Sequence, residues 1–158
     1  MKVYLTVHPQ ADTHEDVFRE IATPLVNHEF GWNDVYTVDT PNESNSVVML
    51  TPGKVLGRMF PQFAKRRLSV CDMNTREIWI NEDRWLRTLP DESQLPLPAY
   101  RSYVLTHELG HALGLGHADP PKKGLAPIMM QQTVGIGTLT PNPFPTEEER
   151  AWVSGTIS

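Results

Sequence analysis

The residues best suited to chemistry lie close together in the chain, at His107, Glu108, His111, Gly114 and His117. His107 and His111 are four residues apart, so on a helix both imidazoles project from one face, about one turn apart. That spacing allows one zinc ion to accept both nitrogens at about 2.0–2.1 Å. Glu108 is next to the first ligand and can reach a water on the metal, as a general base must. The pattern therefore predicts a zinc site with its own base.

His117 is six residues beyond His111 and cannot share the same straight helix face. We expect the chain to turn at Gly114, because glycine accepts left-handed dihedral angles without penalty. Three neutral imidazoles leave the fourth zinc position open, which is typical of a catalytic rather than a structural site. Incidental surface histidines on an amphipathic helix would leave this spacing unexplained. The predicted cofactor is Zn²⁺.

The helix that must carry the first two ligands is predicted over residues 99–113. Apolar alternation and turn residues predict strands in the preceding chain, and helical spacing predicts two flanking helices. The expected strands are residues 2–7, 35–38, 47–50, 68–71 and 77–80, the last two joined by a hairpin turn at 72–75. The other expected elements are a helix at 13–29 capped by Thr13 and kinked or broken at Pro24, helical turns within 54–63, a loop at 90–98, and a helix at 147–153 capped by Thr146. Together they predict one α+β domain over residues 1–158, with five strands, a helix after the first strand, a helix that carries the histidines and a short C-terminal helix.

The composition excludes several classes of function. The net charge of −5 makes nucleic acid and anionic membranes poor partners, because phosphates require a basic patch. No signal peptide or transmembrane segment is predicted. The single cysteine, Cys71, excludes an intrachain disulfide and is compatible with the cytoplasm, although it leaves the compartment unassigned. We expect a monomer.

Around the histidines the chain resembles the metzincin clan of zinc peptidases, in which a methionine-containing turn lies below the zinc. Residues 127–131 resemble that turn. The resemblance implies that Met129, or alternatively Met130, forms a soft apolar floor under the imidazoles; two ordinary core methionines are the other interpretation. It also implies a mixed, roughly five-stranded sheet with a backing helix and an active-site helix. The upper part would be residues 1–116 and the small lower part 117–158, with an antiparallel edge strand at 68–71 above the cleft, where an extended peptide would pair.

A closer likeness is to a little-characterised zincin-like domain family of actinobacterial secreted or membrane-anchored proteins. It runs from Ser69 to Trp152 and rests on residues 80–85, 100–104, 127–133 and 141–145 and on the zinc motif. Those proteins carry paired cysteines that are absent here, so their extracellular location is not carried over. Some metzincins have a tyrosine just after the turn methionine, a position held here by Met130 or Gln131. Asp119 could orient an imidazole or could be an ordinary loop residue.

The metzincin resemblance implies a zinc-dependent metalloendopeptidase, which hydrolyses peptide bonds of a peptide or protein substrate through a zinc-bound water activated by Glu108. One alternative is a zinc amidase acting on another short substrate. The other is a catalytically silent zinc-binding module, against which the intact Glu108 argues. Cys71 has no basic residue immediately beside it, so we expect a buried or edge thiol rather than a nucleophile; it could also reach the zinc as an inhibitory ligand.

Overall fold

The fold is built on a mixed five-stranded sheet. The computed structural model describes residues 1–87 and 94–157. Its strands are β1 (Lys2–Val7), β2 (Tyr36–Thr37), β3 (Ser46–Thr51), β4 (Val70–Asp72) and β5 (Glu77–Asn81). They lie in the order β2-β1-β3-β5-β4, with parallel pairing except between β4 and β5, which are antiparallel. The prediction of an α+β fold with a mixed five-stranded sheet and an antiparallel edge strand is confirmed.

The described residues also form five α-helices. They are α1 (Glu15–Val26), α2 (Gly53–Met59), α3 (Glu82–Leu86), α4 (Leu97–Ala112) and α5 (Glu147–Ile157). Of these, α3 was not predicted; it is only five residues long and begins where the Asn81 side chain accepts the Asp83 N–H. Within the described chain, no helix has both the length and the apolar character needed to cross a membrane.

The first helix differs from its prediction at both ends. Its N-cap is His14, whose ring accepts the Asp16 N–H, and not Thr13. Thr13 instead directs its backbone N–H to the buried Glu82 carboxylate. The helix continues through Pro24 and ends at Val26, so no break occurs there. Burial of Val26 against the core retains this last turn despite the missing N–H of the proline.

Smaller differences concern element bounds. The second strand keeps only two of its four predicted residues, and β4 begins two residues later and ends one residue later than predicted. The hairpin turn itself is confirmed, with the Asp72 carboxylate accepting the N–H groups of Asn74 and Thr75. Of the loop predicted at 90–98, residues 90–93 lie outside the described residues, and the last two belong to α4.

The core joins the sheet to the segment that follows the histidine motif. Val3, Val48 and Ile80 from the sheet share one buried cluster with Ile128 and Met129. The helix α4 crosses this core and is buried on nearly all sides rather than on one stripe, with Leu105 and Leu109 almost fully buried. The histidine-bearing helix is therefore fixed by packing against both halves of the chain.

Candidate metal centre

The three predicted histidines meet at one point. A ring nitrogen from each of His107, His111 and His117 lies within 4.8 Å of the other two. The Nε2 atoms of His111 and His117 are 3.1 Å apart. Two nitrogens bound tetrahedrally to zinc at 2.0–2.1 Å would be roughly 3.3 Å apart. Donor type and spacing thus fit a zinc ion, and in the described part of the chain no other group of metal-ligating side chains comes together in this way.

Hydrogen bonds determine which ring nitrogen of each helical histidine can bind a metal. His107 Nδ1 is 2.6 Å from the Ile128 carbonyl oxygen, and His111 Nδ1 is 2.7 Å from that of Leu115. A carbonyl oxygen only accepts, so each Nδ1 carries the proton and donates it. In the neutral ring, the lone pair is then on Nε2. Both imidazoles are held in the tautomer that ligation requires.

Gly114 ends α4 as predicted and positions the partner of His111. Its φ is +98°, a value that side-chain-bearing residues rarely adopt. The Gly114 N–H donates to the His111 carbonyl and the Leu115 N–H to that of Gly110, which together form a Schellman motif. This turn brings the Leu115 carbonyl back to the His111 ring and redirects the chain toward His117.

Met129 lies against α4 at Gly110, between His107 and His111 in the sequence. It has no solvent exposure, and a Cβ at Gly110 would lie 2.2 Å from its sulfur. The helix and the methionine can therefore approach this closely only because residue 110 is a glycine. Met130 belongs instead to a separate small cluster with Ala126 and other loop residues. Of the two candidates, Met129 is the one packed against the histidine helix.

Burial controls the ionisation of the site. It raises the pKa of Glu108 to about 8 and, together with the neighbouring His111, lowers the pKa of His107 to about 3. Burial also lowers the pKa values of His111 and His117. The histidines are thus neutral near pH 7, as metal ligands must be. A cation held by them would favour the charged form of the Glu108 carboxylate.

A cleft of about 190 Å³ opens at the histidines. The edge strand β4 contributes Val70 and Cys71, and α4 contributes Tyr103 and Glu108. Because β4 is the antiparallel sheet edge, its predicted position along the cleft is confirmed. Burial, and then the nearby Glu108, raise the pKa of Cys71 to about 12, which makes it an unreactive thiol and favours the predicted edge thiol over a nucleophile.

In the described residues no hydrogen bond joins Asp119 to an imidazole, and the Nδ1 atoms of His107 and His111 are bonded to backbone carbonyls instead. The position after the turn methionine offers no tyrosine hydroxyl. A tyrosine of α4, Tyr103, contacts that turn: its buried hydroxyl donates to the Met130 carbonyl and accepts the Gln132 N–H.

Sequence reasoning missed two residues that hold the site. Trp32 donates from its ring N–H to the Thr106 carbonyl, at 2.8 Å, and so anchors α4 one residue before His107. Glu149 is 1% exposed, and its carboxylate accepts backbone N–H groups of the methionine turn. Only Glu149 left a signal in the sequence, a capping box formed with Thr146 three residues earlier.

A family model described as "Protein of unknown function (DUF3152)" matches residues 25–148, and the chain belongs to this family. The match includes the three histidines and Glu108. No curated protein matches the chain, and no solved structure does.

Proposed function

We propose that this member of the DUF3152 family is a zinc-dependent metalloendopeptidase, with His107, His111 and His117 as zinc ligands and Glu108 as general base. One observation carries the proposal: three histidine nitrogens converge beside a buried carboxylate in a cleft. A purely structural zinc site would use four protein ligands and would have no need of that carboxylate.

A relationship to the metzincins is part of the same proposal. It is supported by the sequence of helix, glycine turn and third histidine, in which Gly114 has the left-handed backbone that the spacing requires. It is also supported by the burial of Met129 against the helix at Gly110 and by the antiparallel edge strand along the cleft. In the small segment that follows His117, Ile128 and Met129 belong to the main core, whereas Ala126 and Met130 belong to a second, smaller cluster.

The protein's own residues would carry the acid–base and binding work. Zinc, when bound, supplies Lewis acidity, which acidifies a water and polarises a carbonyl. Glu108 would take a proton from the attacking water and later deliver it to the leaving amine. The exposed edge of β4 offers backbone N–H and carbonyl groups, with which an extended peptide would pair as an added strand. The open cleft and its apolar lining would hold the substrate in that register.

Two alternatives share the metal site. A zinc amidase acting on another short substrate would use the same ligands and base but would not need the strand edge. A catalytically silent zinc-binding module would need neither. Digestion of a broad peptide library separates them: an endopeptidase cuts within extended sequences, an amidase leaves them intact but hydrolyses small amides, and a silent module cleaves nothing at full zinc occupancy.

The test compares wild type with Glu108→Gln, which keeps the side-chain shape but cannot accept the proton. We expect zinc content to be retained and cleavage to fall by about 10²–10⁴-fold, the contribution of a positioned general base. Glu147→Gln makes the same chemical change at an exposed position of α5 and should cleave like wild type. Unreduced cleavage by Glu108→Gln would contradict the assignment of the base.

A further inference from the structure

The carboxylate of Glu149 is the most completely enclosed charge-bearing group near the metal centre. Glu149 is 1% exposed, and its side chain accepts three backbone N–H groups, from Ile128 at 2.9 Å, Met129 at 2.8 Å and Thr146 at 3.0 Å. Among the described residues, no lysine or arginine forms an ion pair with it. The buried carboxylate is therefore held by peptide dipoles, two of which belong to the turn beside the metal site.

One of those peptide groups connects Glu149 to a ligand. The Met129 N–H and the Ile128 carbonyl belong to the same peptide group. The N–H donates to the Glu149 carboxylate, while the carbonyl oxygen accepts from His107 Nδ1 at 2.6 Å. A carboxylate on the N–H side polarises the peptide and makes its oxygen a stronger acceptor. A stronger acceptor at Nδ1 makes Nε2 of the same imidazole a better donor to a metal.

His111 provides the contrast. Its Nδ1 also donates to a backbone carbonyl, that of Leu115 at 2.7 Å. That carbonyl is set by the local turn at Gly114, and within the described residues no carboxylate is bonded to its peptide group. The two ligands of α4 thus have the same kind of partner, but only that of His107 is backed by a charge.

We propose that Glu149 is a positioning residue of the metal centre, which acts on His107 through the Ile128–Met129 peptide group to orient the ring and strengthen its Nε2 as a ligand. This rests on the proposed metal site but not on the identity of the substrate. The capping box with Thr146 is a second, purely structural role of the same side chain, and the test must separate the two.

The test measures the affinity of the chelator-treated protein for Co²⁺ and Zn²⁺, together with its unfolding in urea. Glu149→Gln keeps the shape but loses the charge and replaces one acceptor oxygen by a donor. We expect it to bind either metal 10–100-fold more weakly, the usual effect of removing a partner behind a ligand. Glu147→Gln removes a charge from the same helical turn at an exposed position, and should bind like wild type. Thr146→Ala disrupts the cap but spares the carboxylate, and should lose stability without losing metal affinity.

NMR of the Nδ1–H protons distinguishes a polarising effect of Glu149 on His107 from a general loss of stability. In the zinc-loaded protein, the Nδ1–H proton of His107 should move upfield in Glu149→Gln, while that of His111 should stay in place. Equal shifts of the two Nδ1–H protons would overturn the proposal. So would metal affinities that fall in all three variants only in proportion to their loss of unfolding free energy.

Wild type alone gives an independent check if Glu149→Gln does not fold. The Nδ1–H proton of His107 should then resonate further downfield than that of His111, and the reverse order would overturn the proposal. Absence of metal binding by wild type would overturn the metal site and this role together. Metal binding without peptide cleavage would overturn only the proposed activity.

Discussion

The carbonyl groups that accept from the two imidazoles of α4 lie at different distances along the chain. His111 donates to the Leu115 carbonyl four residues later, within the turn that ends its own helix. His107 donates to the Ile128 carbonyl 21 residues later, in a loop held by Glu149 and Tyr103. The first support forms with the helix, whereas the second requires the folded loop and α5. The geometry of this site therefore depends on one local and one tertiary support, which can be perturbed separately.

The largest effect is expected on the tertiary side, at Met129. Met129→Ala removes a fully buried side chain that packs on α4, and should lower the free energy of unfolding by about 2–5 kcal/mol. Met129→Leu conserves volume and should cost less than about 1.5 kcal/mol. Urea unfolding of the metal-free proteins measures both, with the exposed Met73→Ala as a control that should be close to neutral. A loss of unfolding free energy in Met129→Ala as small as that in the control would show that Met129 does not stabilise α4 by packing.

Gly110→Ala, which disturbs the contact between residue 110 and Met129, should lower the free energy of unfolding by somewhat less. A Cβ at residue 110 would meet the Met129 sulfur at 2.2 Å and the Trp32 ring at 2.9 Å. Overpacking of this kind costs about 1–3 kcal/mol, which the better helix propensity of alanine only partly offsets. In the double variant with Met129→Ala, the cost should be less than the sum, because the sulfur is gone. Strict additivity of the unfolding free energies would contradict the direct contact.

On the local side, Gly114 and Gly116 form a matched pair. A Cβ at either position would meet no atom within 4 Å, but only Gly114 has a positive φ, +98°. Gly114→Ala should cost about 1–2 kcal/mol through backbone strain alone and weaken zinc binding by displacing the Leu115 carbonyl. Gly116→Ala should be nearly neutral in urea unfolding. Equal costs would mean that the turn does not depend on the left-handed residue.

A pH dependence of the free energy of unfolding is expected in the metal-free protein. The folded pKa of Glu108, about 8, is above its unfolded value, so its stabilisation is present below pH 4.5 and is lost as pH rises to 8. His107, with a folded pKa of about 3, has the opposite sign, and its stabilisation is lost as pH falls below 6.5. Between pH 6.5 and 8 only the Glu108 effect remains of the two, with a slope of at most about −1.4 kcal/mol per pH unit.

Urea unfolding of wild type and Glu108→Gln across this pH window measures the slope. The difference between the two proteins isolates Glu108, because their other titrating groups are the same. The stability of wild type relative to Glu108→Gln should fall as pH rises through this window and level off above pH 8, where the wild-type carboxylate has lost its proton. A difference independent of pH would show that Glu108 is not buried in the folded protein.

The local contacts of the site could be predicted from the sequence, and the tertiary contacts could not. The spacing of His107, His111 and His117 predicted their convergence, and Gly114 predicted the turn, because helix periodicity and left-handed dihedrals are local properties. The long strands were predicted for the same reason. Thr13 was a wrong cap because its N–H is taken by Glu82, nearly 70 residues away, a contact that no local pattern indicates.

The tertiary supports were not predictable in this way. Glu149 was not predicted to support the site, yet its carboxylate accepts N–H groups of the methionine turn. Trp32 lies in a loop with no periodicity, yet its ring N–H fixes α4. Such contacts join distant segments and are determined by the packing of the whole core. They affect the detailed geometry of the site, which is why the convergence of the three histidines was easier to predict than the contacts that support it.

The central claim, one zinc ion held by three imidazoles, is tested most directly by X-ray absorption at the zinc edge on protein loaded to equivalence. We predict one ion per chain, with three nitrogen ligands and one oxygen ligand at about 2.0–2.1 Å. His111→Ala should lose this spectrum. A sulfur ligand at about 2.3 Å would place Cys71 on the metal and contradict the open site. Zinc bound equally well by His111→Ala would contradict the centre itself.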